Sequence, residues 1–196
     1  PGETIMGMKL ADGGHLPHGH KVSATGKFWK SVQFGINPKT GLINYAEVAK
    51  LARKHRPKVI VSGFTAYPRK VNFKKFGEIA KSVGAYHLTD ISHIAGLIAG
   101  GAHPAPFPHA DVVMTTTHKS LRGPRGAIIF INRASPVAKK NKVDLPALID
   151  RAVFPGLQGG PHNNTTAAMA MAFLEASQPP FKAYARQIAK NAKALE

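Results

Sequence analysis

Three polar clusters in this sequence carry groups able to do covalent chemistry: Ser62-Gly63-Phe64-Thr65, Thr89-Asp90 and Thr115-Thr116-Thr117-His118-Lys119. Each closes a short run that reads as a buried strand. In an open parallel sheet, ligands bind beyond the carboxyl ends of the strands. The three runs would therefore bring hydroxyls, one carboxylate and one amine to a common edge. A lysine amine attacks a carbonyl, and an aspartate keeps a ring nitrogen protonated. That pair is what pyridoxal phosphate requires, because its aldehyde needs an amine and its pyridine ring accepts electrons best when protonated. On spacing alone, two plainer readings stay open. Asp90 could cap a following helix, and Lys119 could be a solvated surface lysine.

The elements that must position these groups alternate along the chain. Residues 44–55 open on Asn44 with Glu47 three places on, a capping-box pattern, and carry an apolar stripe of Tyr45, Val48, Ala49 and Ala52. Residues 57–63 read as a strand, and residues 72–83 as a helix with Phe73, Phe76, Ile79 and Ala80 on one face and Gly84 closing it. Then come AYHLTD (85–90), the small-residue stretch 94–101, DVVMTTT (111–117) and GAIIFI (126–131). Strand and helix in alternation with short connections predict an α/β fold, a mainly parallel sheet with helices on both faces. Pro104, Pro106 and Pro108 mark residues 103–109 as a loop. Residues 162–176 and 180–196 read as late helices, separated by Pro179 and Pro180. The chain opens at Pro1 and stops at Glu196 inside a helical pattern with no closing signal, so both ends are expected to be cuts in a longer domain.

Composition narrows the classes. At 196 residues with 43% hydrophobic content the chain is an ordinary globular length and not a disordered one. It has no cysteine, which removes disulfide scaffolds, thiolate metal sites and thiol nucleophiles, and no metal site is expected. No run approaches the ~18 apolar residues of a membrane span, and no secretory leader is visible, so a cytoplasmic protein without membrane contact is expected. The formal charge is +17, from 27 Lys+Arg against 10 Asp+Glu. Most of the basic residues fall on polar helix faces, which reads as solvated surface; steering of anions is the functional alternative. Signatures of RNA or DNA recognition are missing, so nucleic acid is not expected as a partner.

The words GGHLPHG (13–19), SGFTAYPR (62–69), DISHIAGLIAGG (90–101), TTTHKSLRGPRG (115–126) and FPGLQGGPHNN (154–164) occur in one order. In that order they resemble the serine hydroxymethyltransferases, fold-type I enzymes that use pyridoxal phosphate. The likeness runs the whole length, so residues 1–196 would be the central part of the coenzyme-binding large domain, without an N-terminal segment and a C-terminal small domain. It implies interconversion of serine and tetrahydrofolate with glycine and 5,10-methylenetetrahydrofolate, in a homodimer or dimer of dimers. Lys119 matches the lysine that forms the internal aldimine, and Asp90 the partner of the pyridine nitrogen. His15 matches the histidine that stacks on the ring. His93 matches one near the ring oxygen, placed on the Asp90 side if the segment is helical. Thr65 takes the place of a hydroxyl residue near that oxygen. Thr116, His118 and Arg125 belong to the polar groups around the lysine. Gly159 and Gly160 match a segment that reaches the coenzyme phosphate of the neighbouring subunit.

The remaining histidines, His18 among them, are expected to be bland, and the threonines of residues 115–117 could be plain strand residues. Three positions depart from the family pattern: Met114 for a threonine, Pro17 where GGHLTHG has threonine, and Asn164 where histidine is common. Pro17 fixes a backbone angle and could move His18. The family's phosphate loop, its proton-handling glutamate and the arginine for the substrate carboxylate have no counterpart among these residues. The alternatives are a related fold-type I aldolase or transferase, such as a threonine aldolase, and, outside enzymes, a basic RNA-binding protein.

Overall fold

The computed structural model describes residues 2–195. Pro1 and Glu196, on which the reading of cut ends rests, lie outside the described residues. Six strands form one sheet: β1 (Thr4–Met8), β2 (Lys30–Phe34), β3 (Val59–Gly63), β4 (Tyr86–Asp90), β5 (Val112–Thr116) and β6 (Ala127–Ile131), in the order β2-β1-β3-β4-β5-β6. β1 pairs in parallel with β2 and β3, and β3 in parallel with β4, the last in a register that sets Gly63 opposite Asp90. The helices are α1 (Ala24–Phe28), α2 (Tyr45–His55), α3 (Phe73–Val83), α4 (Ala95–Ala99), α5 (Pro136–Lys140), α6 (Leu145–Val153), α7 (Asn163–Ser177) and α8 (Pro179–Leu195). The parallel α/β fold expected from the sequence is present. Among the described residues, no helix is long and apolar enough to cross a membrane.

Local signals explain most boundaries. Asn44 and Asn72 cap α2 and α3 by accepting the N–H of Glu47 and Lys75. Only half of the expected capping box forms, because the Glu47 carboxylate lies 3.7 Å from Lys50 instead of returning to the cap. Gly84 ends α3 in the left-handed conformation, at φ +72°. The two late prolines do not separate helices as expected. α7 ends at Ser177, and Pro179 and Pro180 form the first turn of α8, where a missing N–H costs nothing.

The chain clusters into two compact units. The first comprises Pro1–Asp90, Pro106–Val113 and Ile131–Val143. Its core centres on Phe76, fully buried, whose ring lies 5.6 Å from Phe34, 5.3 Å from Tyr45, 6.4 Å from Phe64 and 6.0 Å from His87. The second comprises Ile91–Ala105, Met114–Phe130 and Asp144–Glu196. It buries Phe181 and Ala185 of α8 with Ala172 and Ala176 of α7, and leaves Leu157, Met171 and Leu174 exposed.

A polar group sits inside the first core. His87, 1% exposed, lies 2.8 Å from the His109 carbonyl through Nδ1 and 2.7 Å from the Ser62 hydroxyl through Nε2. A carbonyl only accepts, so Nδ1 carries the proton and Nε2 accepts from Ser62. Burial pushes the His87 pKa below the ordinary histidine value, against the opposing His109 carbonyl and Asp111 charge. A lowered folded-state pKa means the unfolded chain binds the proton first. Stability from this residue is therefore complete above the unfolded value of about 6.5 and is lost as pH falls through the folded one. The unfolding free energy of the unaltered chain, read from urea titrations, is expected to fall relative to His87→Gln as pH drops below about 6.5, by up to about 1.4 kcal/mol per pH unit. Parallel profiles for the two proteins over that range would refute the assignment.

Candidate active site

In the first unit the candidate groups meet around Gly63. The chain entering from β1 makes a short 3-10 turn, Leu16–His18, with Pro17 in its first positions. That turn buries His18 and sends its ring to two acceptors. Nε2 lies 3.0 Å from Asp90 Oδ2 and Nδ1 lies 3.2 Å from the Gly63 carbonyl. With a carboxylate on one side and a carbonyl on the other, the ring satisfies both only when it carries two protons. Gly63 makes this approach possible, since a Cβ there would lie 2.7 Å from His18 Cε1 and 2.6 Å from Asp90 Cβ. The His15 ring is 5.2 Å from that of His18, tilted by 48°. The Gly13 carbonyl accepts from the N–H groups of Thr65 and Ala66 at 2.9 and 3.1 Å, which ties the Thr65 loop to the segment bearing His15. Thr65 itself is exposed. His15, His18, Thr65 and Asp90 are thus gathered in one unit.

Asp90 ends β4 and does not cap the next helix, whose N-cap position is Ile94. Residues 92–94 form a turn, so the helical premise for His93 does not hold; His93 stands half-buried in that turn.

The second unit holds the lysine. Beyond β5 the chain folds into a tight turn in which the Arg122 N–H donates to the Lys119 carbonyl at 2.9 Å and the Gly123 N–H to the Thr117 carbonyl at 2.8 Å. The Thr117 hydroxyl donates to the Pro124 carbonyl at 2.6 Å. These bonds hold Lys119 half-buried with Nζ 3.0 Å from the Thr116 hydroxyl. Thr116 is in turn fixed by its N–H, which donates to Ser92 Oγ at 2.9 Å. Ser92 also approaches the sulfur of Met114, at 3.6 Å, which is how the departure from the threonine pattern is accommodated.

Desolvation, then the charges of Arg125 and Lys119, lower the His118 pKa; a hydrogen bond with the Gly126 carbonyl opposes them. His118 Nδ1 is buried with no hydrogen-bond partner among the described residues. Arg125 is exposed beside it. Gly159 and Gly160 are exposed, in a loop following α6. Among the described residues no three His, Asp or Glu side chains are grouped so as to hold a metal ion.

His18 is the residue that sequence reasoning passed over. A signal existed: it follows His15 by three residues, with a proline between them whose fixed angle suits a 3-10 turn.

The sequence profile described as serine hydroxymethyltransferase matches residues 1–196. The chain is 54% identical over 195 residues to a protein named serine hydroxymethyltransferase from Acidothermus cellulolyticus, covering 100% of this chain and 43% of that protein. Proteins of the same name from Desulfotalea psychrophila and Hydrogenovibrio crunogenus are 51% and 50% identical over the same length, with 43% and 44% of those proteins covered. The chain therefore spans less than half the length of the curated relatives it matches.

Proposed function

The chain belongs to the serine hydroxymethyltransferase family, and from that premise we propose that it supplies the coenzyme-holding part of a pyridoxal-phosphate enzyme exchanging serine and tetrahydrofolate for glycine and 5,10-methylenetetrahydrofolate. The observation that carries this reading is the setting of Lys119, an amine at a strand end that rests on a neutral hydroxyl, Thr116, inside a turn closed by hydrogen bonds.

The donor set fits the coenzyme. An amine suits an aldehyde, a carboxylate suits a protonated pyridine nitrogen, and an imidazole ring such as His15 suits an aromatic face. When bound, the coenzyme draws electrons from the bonds at the amino acid Cα into its ring. The residues of the chain do the rest. Asp90 holds a negative charge in place because His18 anchors one of its oxygens. Gly63 fixes His18 from the other side. Thr116 orients the Lys119 amine, and its own position is set by Ser92. His118, its pKa lowered by desolvation and by the charges of Arg125 and Lys119, offers an unpartnered Nδ1 as a proton acceptor. Arg125 adds positive charge that attracts anionic substrate groups. By the family resemblance His93 and Thr65 would serve the ring oxygen.

Residues 1–196 form the central part of the coenzyme-binding large domain. By the family resemblance the exposed Gly159-Gly160 loop would reach the coenzyme phosphate of a neighbouring subunit, and the working unit would be a homodimer or a dimer of dimers in the cytoplasm. The complete gene product, supplied with coenzyme, is expected to convert serine to glycine only when tetrahydrofolate is present to take the carbon unit. Folate-independent cleavage of threonine at a higher rate than serine would assign it to the aldolases instead.

A further inference from the structure

The turn that holds Lys119 contains a residue in a conformation its own side chain disfavours. Arg122 has φ +62°, the left-handed region that suits glycine. The next residue is Gly123, yet the left-handed position falls on the arginine. The side chain supplies a reason. The Arg122 guanidinium lies over the ring of Tyr184, 5.2 Å from its centroid. Tyr184 belongs to α8, and its ring packs 5.6 Å from that of Phe181, which is buried. Arg122 is exposed, and with Glu175, Gln178, Pro180 and Phe181 it lines a cavity of about 290 Å³. Packing therefore does not wedge the arginine in place, and among the described residues no carboxylate pairs with it. The aromatic face holds it.

The opposite flank of the same turn is also anchored. The Gly96 N–H of α4 donates to Ser120 Oγ at 2.9 Å, and a Cβ on Gly96 would meet the Ser120 carbonyl. Lys119 thus sits between two fixings, Ser120 on α4 and Arg122 on α8.

We propose that Arg122 is a positioning residue for Lys119: its stacking on Tyr184 holds the Thr117–Gly123 turn in the arrangement that lays the lysine amine against Thr116. This rests on the reading of Lys119 as the coenzyme lysine. Loss of the ring releases a strained arginine, and the turn relaxes away from the left-handed state. Loss of the whole side chain in favour of glycine removes clamp and strain together, so the turn stays accessible.

The test compares Tyr184→Leu, Tyr184→Phe, Arg122→Ala and Arg122→Gly in the complete gene product. One readout is the rate at which borohydride fixes pyridoxal phosphate to the peptide bearing Lys119. A second, taken without coenzyme, is the acetylation rate of Lys119 relative to the other lysines by mass spectrometry. Tyr184→Leu and Arg122→Ala are each expected to change both rates at Lys119 about tenfold. Their double variant should be no worse than either alone. Tyr184→Phe, which keeps the ring face, and Arg122→Gly should stay within about threefold of the unaltered protein. A lowered melting temperature with unchanged rates at Lys119 would overturn the proposal by reducing the clamp to a structural contact. Fixation of the label on a different lysine in the unaltered protein would instead sink the reading of Lys119, and with it this inference.

Discussion

Lys119→Ala is expected to abolish fixation of pyridoxal phosphate at the site and to lower serine turnover by a factor on the order of 10⁴ or more, the loss typical of removing a nucleophile. Chemical reactivity alone does not single this residue out, since the chain carries 19 lysines. Its setting does. The residue is half-buried, its amine is held 3.0 Å from Thr116 Oγ1, and its turn is closed by the Arg122 N–H on the Lys119 carbonyl and the Gly123 N–H on the Thr117 carbonyl. A positioned amine reacts far faster than a free one because orientation is already fixed. Lys119→Arg keeps the charge but has no amine to attack with, so it is expected to be equally unlabelled. Borohydride treatment, digestion and mass mapping decide the matter, and a label retained in Lys119→Ala at stoichiometric level refutes the assignment.

Asp90→Asn is expected to weaken coenzyme binding and turnover by about 10²–10³-fold, from loss of a charge-assisted interaction whose partner stays buried, about 3–4 kcal/mol. The asparagine preserves shape, so the effect isolates charge. The side chains of His18 and Asp90 are 8% and 14% exposed, which limits screening by solvent. His18→Gln should have a smaller effect, about tenfold, because it acts through Asp90 and leaves the carboxylate in place. Equilibrium titration with coenzyme separates the two. Equal losses in the two variants would mean that His18 meets the coenzyme directly; an unchanged affinity in Asp90→Asn would remove Asp90 from the site.

The central strands and helices were legible because each carries a local signal that agrees with its neighbours. Asn44, Asn72 and Gly84 mark helix ends by hydrogen-bond and dihedral requirements that operate over a few residues. β1 and β2 were not legible. Gly7 interrupts one, and the other, KSVQF, ends the sheet with two exposed residues and little apolar pattern. The small helices α1, α5 and α6 were missed as well; two of them start on a proline-bearing first turn that reads as loop until the cap is seen. In the site, Asp90 and Lys119 were visible from the strand runs before them. His18 was not, because its partner is 72 residues away in sequence and only the strand pairing of β3 with β4 brings the acceptors together.

The missing side chain at Gly63 has a consequence for how this sequence can vary. Because a methyl group there would collide with both His18 Cε1 and Asp90 Cβ, at 2.7 and 2.6 Å, a smaller residue at 18 relieves only one of the two contacts. The other is made by the first carbon of the side chain at 90, which every residue but glycine carries. Position 63 is therefore closed to alanine whatever stands at 18, and lineages that vary at 18 would still keep glycine at 63.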